Sequence, residues 1–458
     1  MNWKDLLSDK RLKEQTKPRG GDERKAFHQD YDRLIFSSAF RRLGRKTQVH
    51  PLAKNDHLHT RLSHSLEVSC VGRSLGTRVG QKIQKYLPEG LHADDLGLIV
   101  QSACLAHDIG NPPFGHAGED AIRDWFAHPQ HQHYLQPLTE AQRDDIQTFE
   151  GNAQGFRVVT QLEHYRNNGG MRLTYATLGS MLKYPWTAQH AMQNKRSPKF
   201  SCYQAEKTIL TEVANTLGLI QRDAACWCRH PLSFLMEAAD DICYAILDLE
   251  DGVEIELIAF DEFKEKIYPL IIEDKKHDVE QWLKVEENAA LSDRRKMGKL
   301  RALAINHCTD IVAEIFLKHH DDILNGNFPH DNLLALHDTA IGEEIKGAKA
   351  ICEGIKAAKA FAHKKIFKHH RQLELELGAF SCLHALLDAF CGAVYQRHSN
   401  EQLSERQQKI LKLMYYTRPE PYAPPPLYQS YLDIFDFIGG MTDNYAAYMA
   451  QQISGISR

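Results

Sequence analysis

The apolar positions of this chain recur mostly with the period of a helix. Val68, Val71, Leu75, Val79 and Ile83 follow one another at spacings of three and four. Leu232, Leu235, Ala239, Ile242, Ile246 and Leu249 form a cleaner stripe. The segment "DLGLIVQSACLAHD" is apolar on nearly all sides and predicts a buried helix. Residues 301–318 and 373–395 also read as helices. Strand-like alternation is scarce, and "MRLTYATLGSML" (171–182) is its best candidate. The pattern predicts a mostly α fold.

Punctuation divides the chain. Residues 1–45 read as a charged N-terminal arm. "PEPYAPPPLY" (419–428) cannot be helix interior and precedes a final helix around "DIFDFIGGMTDNYAAYMAQQ". "HKKIFKHHRQ" (363–372) is a basic run that reads first as a solvated face. No internal repeat or low-complexity tract is evident.

Composition narrows the classes. The chain has 458 residues, 43% of them hydrophobic, enough for a large core. A formal net charge of −4 gives no bulk attraction to nucleic acid. The ten cysteines include no C-x-x-C pair and fit reduced, packed thiols in a cytoplasmic protein. The polar N-terminus is unlike a signal peptide, and no run of about eighteen uncharged apolar residues predicts a membrane span.

Chemistry concentrates in "ACLAHDIGNPPFGHAGED" (103–120), where His107 and Asp108 end the buried helix. An ionised Asp there needs a partner. A divalent cation would satisfy both side chains; a hydrogen bond that closes the helix would also serve. In "HTRLSHSLEVS" (59–69), Arg61 and His64 share a helix face, so His64 points inward and Arg61 could hold a phosphate nearby. In "FLMEAADDICYAILDLED" (234–251), Asp240, Tyr244 and Asp248 lie on one line along a helix, at the edge of the core. His64, His107, Asp108 and Asp240 together make a mixed nitrogen and oxygen set. Such a set suits Mn, Mg, Co, Fe or Zn.

The longer strings are more specific. "FSSAFRRLGRKTQV", "HTRLSHSLEVS", "AHDIGNPPFGHAGE", "FEGNAQGFR", "EAADDICYAILDLED" and "GMTDNYA" resemble bacterial deoxyguanosine triphosphate triphosphohydrolases. H…HD…D is the signature of their superfamily, the HD metal-dependent phosphohydrolases. The resemblance implies an HD-domain helical core over 46–255 and a C-terminal helical region over 256–458 packed on it. It allows at most a short β-hairpin. It implies hydrolysis of a dNTP to deoxynucleoside and tripolyphosphate, with Mn or Mg the first expectations for the metal. His64, His107, Asp108 and Asp240 match its metal ligands, and His116 and Glu119 its catalytic pair. Arg61, Tyr244 and Asp248 match positions near the phosphates, Gln48 a contact to the sugar 3′-hydroxyl, and Lys183, Tyr184 and Lys199 triphosphate contacts. Asn111 stands where some animal relatives carry another His.

The resemblance also implies a homo-oligomer, from dimer to hexamer, and leaves open a second dNTP as activator and weak binding of single-stranded DNA. Two other readings stand beside it. One is an HD phosphohydrolase acting on another nucleotide. The other is a nucleotide- or DNA-binding regulator with a vestigial metal site, for which a lone His116–Glu119 pair would be an ion pair at a helix start.

Overall fold

The computed structural model describes residues 1–13, 24–48, 57–163, 169–194, 198–285, 290–335, 344–416 and 423–455. Most of them are helical. The one sheet among them is an antiparallel hairpin, Gln221–Asp223 with Cys226–Trp227.

Three helices carry the expected metal ligands. The His64 helix (Arg61–Ile83) starts on a capping box in which the Thr60 and Ser63 side chains each accept the other's backbone N–H. The HD helix (Ala93–Ala106) is buried along almost its whole length, as its composition predicts. The Asp240 helix (Pro231–Glu254) begins with His230 as cap and Pro231 in its first turn. The first two lie against each other along Gly72, Gly76 and Gly80. A methyl group on Gly76 would sit 2.7 Å from the Leu96 carbonyl oxygen.

Two hydrophobic cores flank the site. The larger runs from Trp3 to Ile366 and contains the stripes of the His64 and Asp240 helices. The smaller joins the His116 helix (Gly115–Ala127), through Ile122, Trp125 and Phe126, to the helices His370–His398, Leu427–Gly439 and Asp443–Ser454. Parts of 121–203 therefore share a core with the C-terminal region.

Several expectations need correction. The segment 171–182 is no strand: Thr174 accepts the Thr177 N–H and caps a helix over Tyr175–Met181. The N-terminal arm is not merely charged surface, since Trp3, Leu6, Leu7, Leu12, Phe27, Leu34 and Phe40 are buried in the larger core. The final helix is two helices, broken after Gly439 and restarted on Thr442, whose hydroxyl accepts the Tyr445 N–H. In the basic run, Ile366 is buried and Phe367 packs on Tyr244, so only part of it is solvated. Residues 419–422 of the proline-rich run and the Arg371 side chain lie outside the described set. By length and composition Gln372–His398 could cross a membrane, but Leu383, Leu386, Leu387 and Phe390 are buried in the smaller core.

Candidate metal centre and active site

His107 follows the last turn of the HD helix, and its Nδ1 lies 2.6 Å from the Cys104 carbonyl oxygen. Nδ1 therefore donates, and in a neutral ring Nε2 presents its lone pair. That lone pair lies 3.6 Å from Asp240 Oδ1 and 3.5 Å from Asp108 Oδ1. A lone pair facing two carboxylates is repulsive unless a proton or a metal cation lies among them. His64 completes the cluster, with Nε2 3.2 Å from Asp240 Oδ1 and its ring edge-on to His107. Ligand atoms of His64, His107 and Asp240 all lie within 4.8 Å of one another. The donor set and its convergence fit a borderline divalent ion.

Asp108, the fourth expected ligand, has Oδ1 beside His107 Nε2, but both of its oxygens also serve other partners. Its Oδ2 accepts from Arg61 at 2.8 Å, and its Oδ1 accepts from the Asn111 side-chain amide. Burial pushes its carboxyl up, but Arg61, then His107 and His64, outweigh this and hold it at about 2. Burial opposes ionisation of Asp240 too. His107, the bond to His64 and Lys183 nevertheless keep it well below the usual carboxylate range.

The expected catalytic pair sits past the Pro112–Pro113 turn. His116 Nδ1 is 3.0 Å from Glu119 Oε2. The His116 side chain is 75% exposed and that of Glu119 is 2% exposed, so the ring is free to move and its partner is fixed. Glu119 Oε1 accepts the Gly151 N–H at 2.8 Å, from the first turn of the helix Gly151–Arg157. Burial works against its charge, but the His116 bond, Lys199 and Arg123 bring the carboxyl down to about 2.

The remaining expected residues divide into groups. Lys183 lies 3.5 Å from both Asp240 Oδ2 and Glu237 Oε1; burial lowers its pKa, but the two acids raise it further and keep it cationic. Tyr184, next in the chain, packs edge-on against Trp186. Lys199 is 3.4 Å from Glu150, on the Glu119 side of the site rather than within the ligand cluster. Tyr244 is half-buried, parallel to the Phe367 ring and beneath the Lys359 ammonium. Asp248 corrects one expectation. It is fully buried, not at the core's edge, and burial together with Asp251 raises its carboxyl pKa well above the ordinary value. Its Oδ2, like Gln48 Oε1, has no hydrogen-bond partner among the described residues.

The residues 61–142 match the HD domain family model. Whole-length relatives decide the family. A deoxyguanosinetriphosphate triphosphohydrolase-like protein of Pseudomonas aeruginosa is 48% identical over 458 residues, all of this chain and 99% of the relative. One of Synechocystis is 41% identical over the full length of both. The chain belongs to the deoxyguanosinetriphosphate triphosphohydrolase-like family. A relative in Klebsiella pneumoniae, named deoxyguanosinetriphosphate triphosphohydrolase, is 31% identical over 97% of this chain and 96% of its own. As a member of this family the protein is an HD-type phosphohydrolase. Within that frame the geometry adds residues that had no assigned role. Asn111 supports Asp108, Gly151 supports Glu119, and Lys359 and Phe367 cover Tyr244. "FEGNAQGFR" was the available signal for Gly151; a helix rich in Gly that follows an acid marks a close backbone approach.

Proposed function

We propose that the protein is a metal-dependent deoxynucleoside triphosphate triphosphohydrolase. It hydrolyses a dNTP, dGTP in the first instance, to the deoxynucleoside and tripolyphosphate. The observation that carries this reading is the meeting of His64, His107 and Asp240 from three helices within 4.8 Å, in a chain of this family. His64, His107 and Asp240, with Asp108 beside them, would hold a divalent ion, Mn or Mg first. When bound, such an ion supplies Lewis acidity at the α-phosphate and lowers the pKa of water.

The chain's own residues do the rest. Arg61 and Lys183 offset the charge of a triphosphate against Asp108 and Asp240. Lys199 adds positive charge on the Glu119 side. Tyr184 and Tyr244 offer phenol donors without adding charge. Asp248, whose charge burial and Asp251 disfavour, and Gln48 each carry a buried oxygen without a hydrogen-bond partner among the described residues, suited to a sugar hydroxyl. Attack of water at the α-phosphorus breaks its bond to the nucleoside 5′-oxygen, which must gain a proton. His116 is the exposed ring that can deliver it, with Glu119 orienting the imidazole and stabilising its charge. The reading carries with it a cytoplasmic nucleotide pool and a homo-oligomer.

The test is to incubate the protein with each dNTP, alone and in pairs, with Mn or Mg, and to identify the inorganic product. Tripolyphosphate is expected, with His116→Ala slower by roughly 10²- to 10⁴-fold. Orthophosphate or pyrophosphate as the only inorganic product removes the triphosphohydrolase reading.

A further inference from the structure

The C-terminal motif "GMTDNYA" (440–446) ends far along the chain from the site, yet one of its side chains reaches two of the site's segments. Asp443 is 2% exposed. Its Oδ2 accepts both the backbone N–H and the hydroxyl of Thr47, each at 2.9 Å. Its Oδ1 accepts the backbone N–H of Phe114, also at 2.9 Å. An acid in the first turn of a helix ordinarily serves that helix. Here Thr442 caps the helix, and both Asp443 oxygens face other segments.

Those two segments are the ones whose placement matters. Thr47 precedes Gln48 and pairs with Thr60, next to Arg61. Phe114 opens the His116 helix with a left-handed backbone, φ +64°, which is costly for an aromatic residue and persists only where its surroundings impose it. Gly115 follows at φ +60°, and a methyl group there would meet the Arg61 guanidinium at 2.4 Å. The turn therefore rests on Arg61 from one side and on Asp443 from the other. Lys46 makes a second tie. Its buried Nζ donates to the carbonyl oxygens of Asn111 and Gly439, each at 2.5 Å, and its own carbonyl accepts the Arg61 N–H.

We propose that Asp443 is a positioning residue for the hydrolysis: it fixes the strap before Gln48 and the turn before His116 relative to each other. This inference rests on the triphosphohydrolase reading for its kinetic consequence, but not for its structural one. An amide in place of the carboxylate has a single acceptor oxygen and cannot accept the backbone N–H groups of Thr47 and Phe114 together.

The experiment compares Asp443→Asn, His116→Ala and the double variant with the unaltered full-length protein, using Mn and the best dNTP. Backbone hydrogen exchange is followed without substrate. Asp443→Asn is expected to lower kcat roughly 10- to 100-fold, with KM changing far less. In the His116→Ala background the same change is expected to cost clearly less than in the unaltered protein, because part of the effect of Asp443 passes through that turn. Exchange is expected to accelerate at the Phe114 amide, the Thr47 amide or both, since at least one of them loses its acceptor. Thr47→Val, which removes one of the three bonds, is expected to loosen residues 45–48 and leave Phe114 protected. That variant also decides the matter should Asp443→Asn fail to fold. Unchanged exchange at both segments, unchanged kcat, or fully additive losses would overturn the proposal. If the unaltered protein turns over no dNTP, the functional reading falls, and exchange still decides whether Asp443 holds the two segments.

Discussion

The backbone N–H of Gly151 donates to Glu119 Oε1 at 2.8 Å, which leaves Oε2 for His116 at 3.0 Å. Glu119 is thereby oriented by backbone, with no side-chain freedom to absorb a change. A Cβ at residue 151 would sit 2.8 Å from Glu119 Oε1 and 2.5 Å from Asn111 Oδ1. Gly151→Ala is therefore expected to lower dNTP turnover roughly 10- to 100-fold by displacing Glu119. Calorimetric titration with Mn should show metal binding retained. Unchanged turnover would mean that the Glu119 orientation is irrelevant to the reaction.

Adjacent acids on the Asp240 helix should behave differently. Asp240 points into the ligand cluster, while Asp241 accepts from Lys359. Asp240→Ala is expected to abolish Mn binding in the calorimeter and turnover with it. Asp241→Ala should keep Mn binding and lose much less activity. Equal loss of Mn affinity in both variants would contradict the ligand assignment.

Lys183 stands between Asp240 and Glu237, and a triphosphate would replace part of that pairing. Lys183→Gln is expected to raise the KM for dNTP by roughly tenfold or more, the scale of one lost charge-assisted hydrogen bond. Steady-state kinetics at fixed Mn would check it. A KM that falls, because substrate no longer competes for the lysine, would reverse the role given to this side chain.

Acid stability provides a prediction independent of catalysis. His230 caps the Asp240 helix, accepting the Leu232 N–H at Nδ1 and donating from Nε2 to the Leu6 carbonyl at 3.0 Å. Burial lowers its pKa from 6.5 to about 4, against a smaller opposing effect of the Leu6 bond. The unfolded chain therefore takes up this proton first as pH falls. Stability should drop between pH 6.5 and 4, by up to about 3 kcal/mol from this one group. Urea denaturation of His230→Asn across that window should show a shallower slope. An equal slope would assign the acid sensitivity to other groups.

Periodicity exposed the long helices because their buried faces repeat over many turns, as from Val68 to Ile83 and Leu232 to Leu249. It misled at 171–182, where pairing is limited to one antiparallel bridge between Arg11 and Thr174 and the Thr174 cap starts a helix. The N-terminal arm was misread because charges outnumber its buried residues locally; Trp3, Leu6 and Phe27 reveal their role only once the core they enter is known. Within the site, His64, His107 and Asp240 could be paired from residue type and helix phase. The backbone and long-range partners could not. Nothing local to Gly151, Lys46 or Asp443 says which carbonyl, amide or carboxylate lies opposite.

The His116 helix shares its core with the last four helices of the chain, while the His64 and Asp240 helices belong to the other core. The proposed proton donor and the proposed ion cage thus stand on two foundations, joined where Arg61 meets Gly115 and Asp443 meets Thr47. A recombinant piece ending near residue 255 would keep every ligand yet strip the apolar bed from under Trp125 and Phe126. Such a fragment should precipitate, or load metal without turnover, so dissecting this enzyme by its motif boundaries would separate the reaction from the cage that serves it.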